Sequence, residues 1–175
     1  AALTRLIDET GLLEVLFPEI LDMKGCTQNS FHHRDLWGHS LAVLENCEYI
    51  LYHQDDFFGE VSAQFRTNLG QGNRVPLLKL AALLHDVAKP ATRAVSEKSG
   101  RITFYGHDVQ GAEMAEVIGR RLKMSNEDRE FFALLVREHL HVLNLSNPDL
   151  TKPARMRWFR KLGDCLLYTS DAADE

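Results

Sequence analysis

The stretch VPLLKLAALLHDVAKP, Val75–Pro90, is the most apolar run of the chain, and it ends on a histidine beside an aspartate. Apolar side chains recur at helical spacing, so a helix is expected over 75–88, and its weak polar face makes it the central one. A carboxylate at the edge of such a helix is costly to bury unless it is paired or bound to a cation. The question is whether His85 and Asp86 have other ligand-type residues to meet.

Helical periodicity dominates elsewhere too. LTRLIDETGLLEVLFPEI predicts a helix, a break near Gly11 and a second short helix ending by Pro18. DMKGCTQNSFHH, residues 22–33, is polar and reads as a loop. Asp35 is a good N-cap for DLWGHSLAVLENCEYILYHQ, where Leu36, Leu41, Val43, Leu44 and Ile50 mark an amphipathic helix. DDFFGEVSAQFRTNL reads as a weaker helix closed by the loop GQGNR. Beyond Pro90, TRAVSEKSGRITFYG holds two β-prone pieces around EKSG, which predicts a short hairpin near residues 92–105. HDVQGAEMAEVIGRRLKM and, after the cap signal SNED, REFFALLVREHLHVL give two more helices. TKPARMRWFRKLG opens another, with Thr151 and Pro153 near its start. The expected class is all-α, a helical bundle with one small hairpin.

A length of 175 residues suits one domain with its own core. No apolar run is long enough for a membrane span, and no signal peptide is visible. Cys26, Cys47 and Cys165 form no CxxC pair, which fits a reducing, cytoplasmic setting. A net charge of −5 argues against coating nucleic acid by bulk charge. The start lacks an initiator methionine, so residues 1–34 are read as a helical lead-in from a longer protein and 35–164 as the main domain. The tail CLLYTSDAADE, Cys165–Glu175, back-translates in one continuous frame into a transposase end and sequencing adaptor. It is expected to be non-native read-through and is set aside from fold reasoning.

Candidate ligands are spread over the predicted helices: His39 one turn after Asp35, the pair His85 and Asp86, His107 at a helix start and His139 near a helix end. Imidazole and carboxylate mixed in this way suit manganese, iron, cobalt, nickel or zinc better than calcium. Adjacent helix positions lie about 100° apart, so His85 and Asp86 can share an ion only if it sits off the helix edge between them. Taken singly, each histidine reads more readily as a surface or hydrogen-bonded residue than as a ligand. Two HD dipeptides occur; the first ends a core helix, whereas after Gly106 the residue Asp108 can simply serve a helix N-terminus. His32, His53 and His141 are read as surface residues. HRDL at His33–Leu36 matches a kinase catalytic loop in part, but Ser40 stands at the asparagine position and neither a glycine-rich loop nor DFG is present, so a kinase is rejected.

As an ordered set, HHRDLWGHS, LLHDVAKP, FYGHDVQGAE and LVREH resemble the HD-domain superfamily of metal-dependent phosphohydrolases. LFPEILDMKGCTQNSFHHRDLWGHSL resembles, more narrowly, the C-terminal HD region of bacterial tRNA nucleotidyltransferases of the poly(A) polymerase family, the CCA-adding enzymes. The resemblance runs from about Leu12 to Gly163. It implies an HD-domain helical bundle and a divalent metal (manganese, nickel, cobalt, iron, magnesium or zinc). His39 matches the first histidine of the pattern, His85 and Asp86 the defining pair, and Lys89 the lysine that commonly follows. His107 and His139 match the additional histidines of two-metal members. The pattern closes on an aspartate of a C-terminal helix, a place that Asp171 fills only within the suspected adaptor.

The resemblance further implies hydrolysis of phosphomonoesters or 2′,3′-cyclic phosphodiesters, with Asp86 and Lys89 as catalytic residues, a phosphate-ester or nucleotide substrate, and tRNA as a further partner. Asp86 could bridge two ions or orient water. Lys89 could neutralise a phosphate or, equally, act as a helix C-terminal cation. The alternative is a non-catalytic tRNA-binding body, for which Lys152, Arg155, Arg157, Arg160 and Lys161 around Trp158 and Phe159 offer phosphate contacts. Nucleotide addition would belong upstream of Ala1, since no GS motif with a spaced DxD pair is found. The FPEILDMKGCTQ segment makes a stand-alone nucleotidase the weaker option.

Overall fold

The structure, a computed structural model, describes residues 1–27, 35–145, 151 and 153. Among them the chain is helical apart from one two-stranded hairpin, an all-α bundle as expected from the sequence. Short helices α1 (Ala2–Glu9), α2 (Leu12–Leu16) and α3 (Ile20–Met23) lead in. Gly11 makes the α1–α2 break at φ 72°, a left-handed conformation that suits glycine. The polar segment read as a loop from residue 22 is corrected at its start: Asp22 and Met23 complete α3, and Ile20 and Met23 are fully buried. An i, i+3 apolar pair in a one-turn helix leaves too short a pattern to read.

Helix α4 (Leu36–Tyr52) starts as expected on Asp35, whose Oδ1 accepts the Gly38 N–H at 2.8 Å. Its Oδ2 accepts the Gly25 N–H at 2.9 Å, so one side chain both caps α4 and fastens the turn after α3. The weaker helix expected next is split into α5 (Gln54–Phe58), a 3₁₀ turn (Gly59–Val61) and α6 (Ser62–Leu69), with Gly59 at φ 49°.

Helix α7 (Arg74–Leu84) is the central element, packing against both α4 and α10 (Asn126–Leu145). It is shorter than the expected 75–88: residues 85–88 form a turn before the single-turn α8 (Lys89–Thr92). Pro90 explains this. A continued helix would drive its ring into the carbonyl of Asp86 and leave that carbonyl without a donor. The Lys89 N–H takes the Asp86 carbonyl instead, at 2.9 Å, and the Val87 N–H takes that of Leu84 at 3.1 Å.

The hairpin β1 (Ala94–Val95) and β2 (Ile102–Thr103) is antiparallel, pairing Ala94 with Thr103 and Val95 with Ile102. Helix α9 (His107–Arg121) follows Gly106 and packs along α10, whose Asp128 N–H is capped by Ser125 Oγ at 3.1 Å. Leu13, Phe17, Ile20, Met23, Leu36, Trp37, Leu84, Ile118, Phe132 and Val136 belong to one buried cluster. No described helix is long and apolar enough to cross a membrane.

Gly111 lets α9 approach closely. A Cβ there would lie 3.1 Å from Val136 Cγ1 on α10 and 3.8 Å from the His85 carbonyl oxygen. The missing side chain therefore sets how near α9 comes to both α10 and the turn that carries His85 and Asp86.

Candidate metal centre

Four elements deliver five ligand-type side chains to one place. His39 comes from the first turn of α4, His85 and Asp86 from the turn after α7, His107 from the first position of α9 and His139 from α10. Ring centroids of His39 and His85 lie 5.3 Å apart, those of His85 and His139 5.1 Å, and those of His107 and His139 5.2 Å. Every metal-binding residue expected from the sequence is thus gathered here, and Lys89 joins them.

Asp86 is the hub, 1% exposed. Its Oδ1 faces His107 Nε2 at 3.3 Å and His139 Nε2 at 3.5 Å. Its Oδ2 faces His85 Nε2 at 3.0 Å, His39 Nε2 at 3.6 Å and Lys89 Nζ at 2.7 Å. The pair sits on the turn after α7, where His85 keeps helical dihedral angles, and its imidazole still reaches its neighbour's carboxylate at 3.0 Å. His53 lies exposed and away from the cluster, its Nδ1 on the Tyr49 carbonyl, as expected of a surface residue. His32 and the side chain of His141 lie outside the described residues, as do the basic stretch around Trp158 and the tail with Asp171.

Backbone carbonyls orient three of the rings, and the sequence carries no side-chain signal of it. Nδ1 of His85, His107 and His139 meets the carbonyl three residues earlier: Ala82 at 3.0 Å, Phe104 at 2.6 Å and Val136 at 2.6 Å. A carbonyl can only accept, so each Nδ1 carries the proton and a neutral ring turns its Nε2 lone pair inward. Three lone pairs then face an anionic carboxylate. Such an arrangement is repulsive unless protons or a cation lie between them.

The electrostatics express the same conflict. Burial alone would raise the Asp86 carboxyl, but hydrogen bonds from His107, His139 and His85 outweigh it and hold the group far below the usual carboxylate range. Burial pulls His107 down, yet Asp86 and the Phe104 carbonyl prevail and raise it above the ordinary imidazole value. Oδ2 of Asp86 is buried, with His85 Nε2 at 3.0 Å and the Lys89 ammonium at 2.7 Å beside it.

A divalent cation fits this donor set. His39, His85 and Asp86 form one group, and Asp86, His107 and His139 another, each with its donor atoms within 4.8 Å of one another. Donors around an ion at bonds of about 2.1 Å lie about 3.0–3.4 Å apart, close to the spacings on the Oδ1 side. The Nδ1–carbonyl bonds supply the outer support that metal-bound imidazoles require.

Comparison with known proteins agrees with the geometry. The HD domain family model matches residues 36–164. The A-adding tRNA nucleotidyltransferase of Deinococcus radiodurans is 35% identical over 134 residues, covering 77% of this chain and 26% of that protein. The CC-adding tRNA nucleotidyltransferase of Thermus thermophilus is 33% identical over 162 residues, covering 93% of this chain and 32% of that protein. The Multifunctional CCA protein of Actinobacillus pleuropneumoniae is 31% identical over 135 residues, 76% of this chain and 28% of that protein. The chain thus spans between 26% and 32% of the length of these relatives. With its five-residue cluster inside the matched segment, the chain belongs to the HD domain family.

Proposed function

We propose that this HD domain is a metal-dependent phosphohydrolase acting on phosphomonoesters or 2′,3′-cyclic phosphodiesters of nucleotides. The observation that carries the reading is the inward set of Nε2 lone pairs around the buried Asp86 carboxylate. A domain that only held tRNA would have no use for so costly a cluster. His39, His85, Asp86, His107 and His139 would hold the ion or ions, identity open among manganese, nickel, cobalt, iron, magnesium and zinc. A bound divalent cation supplies Lewis acidity at phosphorus and lowers the pKa of water toward neutrality.

The chain's own residues do the rest. Asp86 stays anionic at working pH and presents an oxygen to each half of the cluster. The three carbonyl-anchored imidazoles are fixed in one tautomer, so little reorganisation is needed. Lys89, 15% exposed with its ammonium 5.4 Å from the Phe104 ring centroid, can turn from Asp86 to a substrate phosphate and offset its charge. The relatives' names support tRNA as the macromolecular partner in a longer protein.

The test is to purify the full chain with manganese or nickel, measure metal content, and assay bis-p-nitrophenyl phosphate and 2′,3′-cyclic AMP. Hydrolysis that disappears on chelation and returns with metal supports the reading. Salt-sensitive tRNA binding with no bound metal and no hydrolysis would instead favour the non-catalytic body.

A further inference from the structure

The hairpin after α8 starts and ends beside the metal centre. Its register pairs Ala94 with Thr103 and Val95 with Ile102. One step toward α8 the same register sets Arg93 against Phe104, and Arg93 keeps an extended backbone there, at φ −65° and ψ 122°. Cross-strand partners project from the same face of a hairpin. The Phe104 ring lies 5.4 Å from the Lys89 ammonium, so Arg93 shares the side of the hairpin that faces Lys89. The Cys26 thiol senses the same pair of cations: burial raises it, while Arg93 and then Lys89 pull it down. Charges act on one another strongly only over about 10 Å, which places both cations around that thiol.

The two cations differ in what they already hold. Lys89 Nζ is 2.7 Å from Asp86 Oδ2. Arg93 is exposed and, among the described residues, its guanidinium has neither an ion pair nor a hydrogen bond. The acid that acts on the same thiol, Asp35, spends its two oxygens on the Gly38 and Gly25 N–H groups. An uncommitted guanidinium beside a phosphate-handling centre suits a second anion, since its planar fork matches phosphate oxygens.

We infer that Arg93 selects the substrate by binding a second phosphate, one nucleoside away from the phosphate that reacts, so that a doubly phosphorylated nucleotide or an oligonucleotide end is preferred over a mononucleotide. This rests on reading the cluster as a phosphohydrolase centre. Lys89 serves the reacting phosphate in that reading, and Arg93, further along the same side, is left for the next one. Arg93 touches no reacting atom, so its effect falls on binding and not on the chemical step.

The full chain with Mn²⁺ is assayed on 2′,3′-cyclic AMP, on its 5′-phosphorylated form and on the dinucleotide ApA ending in a 2′,3′-cyclic phosphate. In parallel, calorimetry compares adenosine 3′,5′-bisphosphate with 3′-AMP, which needs no turnover. The second phosphate should lower KM and Kd by about five- to tenfold at low salt with kcat little changed. The gap should shrink as salt rises. Arg93→Gln should close the gap while leaving 2′,3′-cyclic AMP hydrolysis as it is, and Arg93→Lys should keep part of it. Lys98→Gln, which removes the same charge at the hairpin tip, should leave the gap intact. A gain confined to the 5′-phosphorylated mononucleotide assigns the subsite to a terminal phosphate, and a gain on the dinucleotide assigns it to an internucleotide one. No gain in the wild type, a gain that survives Arg93→Gln, or one lost equally in Lys98→Gln would overturn the inference with the phosphohydrolase reading intact. Hydrolysis of none of the three compounds would overturn that reading, while the calorimetric gap would still decide whether Arg93 takes a second phosphate.

Discussion

His107 and His139 turn their Nε2 atoms toward each other at 3.3 Å, although each has its Nδ1 committed to a backbone carbonyl. Two neutral rings so placed oppose lone pair to lone pair. Asp86 favours a proton on His107, and a cation would relieve the repulsion better. An ion that binds only the folded chain should stabilise it by about 2.7 kcal/mol at a hundredfold excess over its Kd. The expected outcome is a rise in Tm on adding Mn²⁺, reversed by chelator and mostly lost in His107→Ala and His139→Ala.

The sign of the pH dependence follows from the same groups. His107 is raised in the folded state, so its contribution is fully present below its unfolded value of about 6.5 and is lost as pH climbs through the folded value. Asp86 is depressed, so its contribution is present above about pH 3.9 and is lost only as pH falls through a native value deep in acid. Denaturant titrations of the metal-free protein should therefore show a plateau between about pH 4 and 6.5 and a decline toward pH 8. With saturating Mn²⁺ the slope above pH 6 should reverse, because the ion competes with those protons. A metal-free protein that gains stability between pH 6.5 and 8 would contradict this assignment.

Asp86→Asn keeps the shape but removes the negative charge between Lys89 and the imidazoles. Breaking a buried ion pair by deleting one partner costs about 3–5 kcal/mol, and at the 1% exposure of Asp86 little solvent screening reduces it. The metal-free variant should lose stability on that scale at pH 6, measured by chemical denaturation. Its Mn²⁺ affinity should also drop more than about a hundredfold.

Gly111→Ala separates site geometry from stability. Alanine gains up to about 1 kcal/mol of helix propensity, while overpacking against Val136 costs about 1–3 kcal/mol. With the full gain, net stability should fall by up to about 2 kcal/mol. The displaced segment, however, is the one whose Val136 carbonyl orients His139, so Mn²⁺ affinity should fall more than stability does. An unchanged affinity with intact fold would show that α9 and α10 can separate without moving the rings.

Asp35→Ala removes the α4 cap and the tie to Gly25 together. A lost N-cap costs about 1 kcal/mol, and the second hydrogen bond adds to it. His39 lies one turn inside that helix, so calorimetry should also show weaker binding of the ion that uses it.

Much of this is legible in the sequence. Asp35 as a cap, the break at Gly11, the hairpin around EKSG and the burial of the Leu84 region all follow from local rules that tertiary contacts did not override. The end of α7 is hidden in the sequence because Leu83–Ala88 is apolar throughout apart from the pair, which masks the reach of Pro90 back to the Asp86 carbonyl. The ligand side chains could be named from sequence, since few other residues bind metals. The carbonyls of Ala82, Phe104 and Val136 could not, because any residue supplies one. Nor could the Lys89–Asp86 contact be read as more than a spacing, since its meaning depends on which carboxylate oxygen it meets.

The proline that stops α7 also makes Leu84–Pro90 an interval of fixed length. One residue inserted there would carry the carboxylate to the far side of the turn, and one removed would pull the imidazole back onto the helix. Loop variation elsewhere on the surface should be tolerated, but this seven-residue step between two rigid segments behaves as a ruler that admits no other setting.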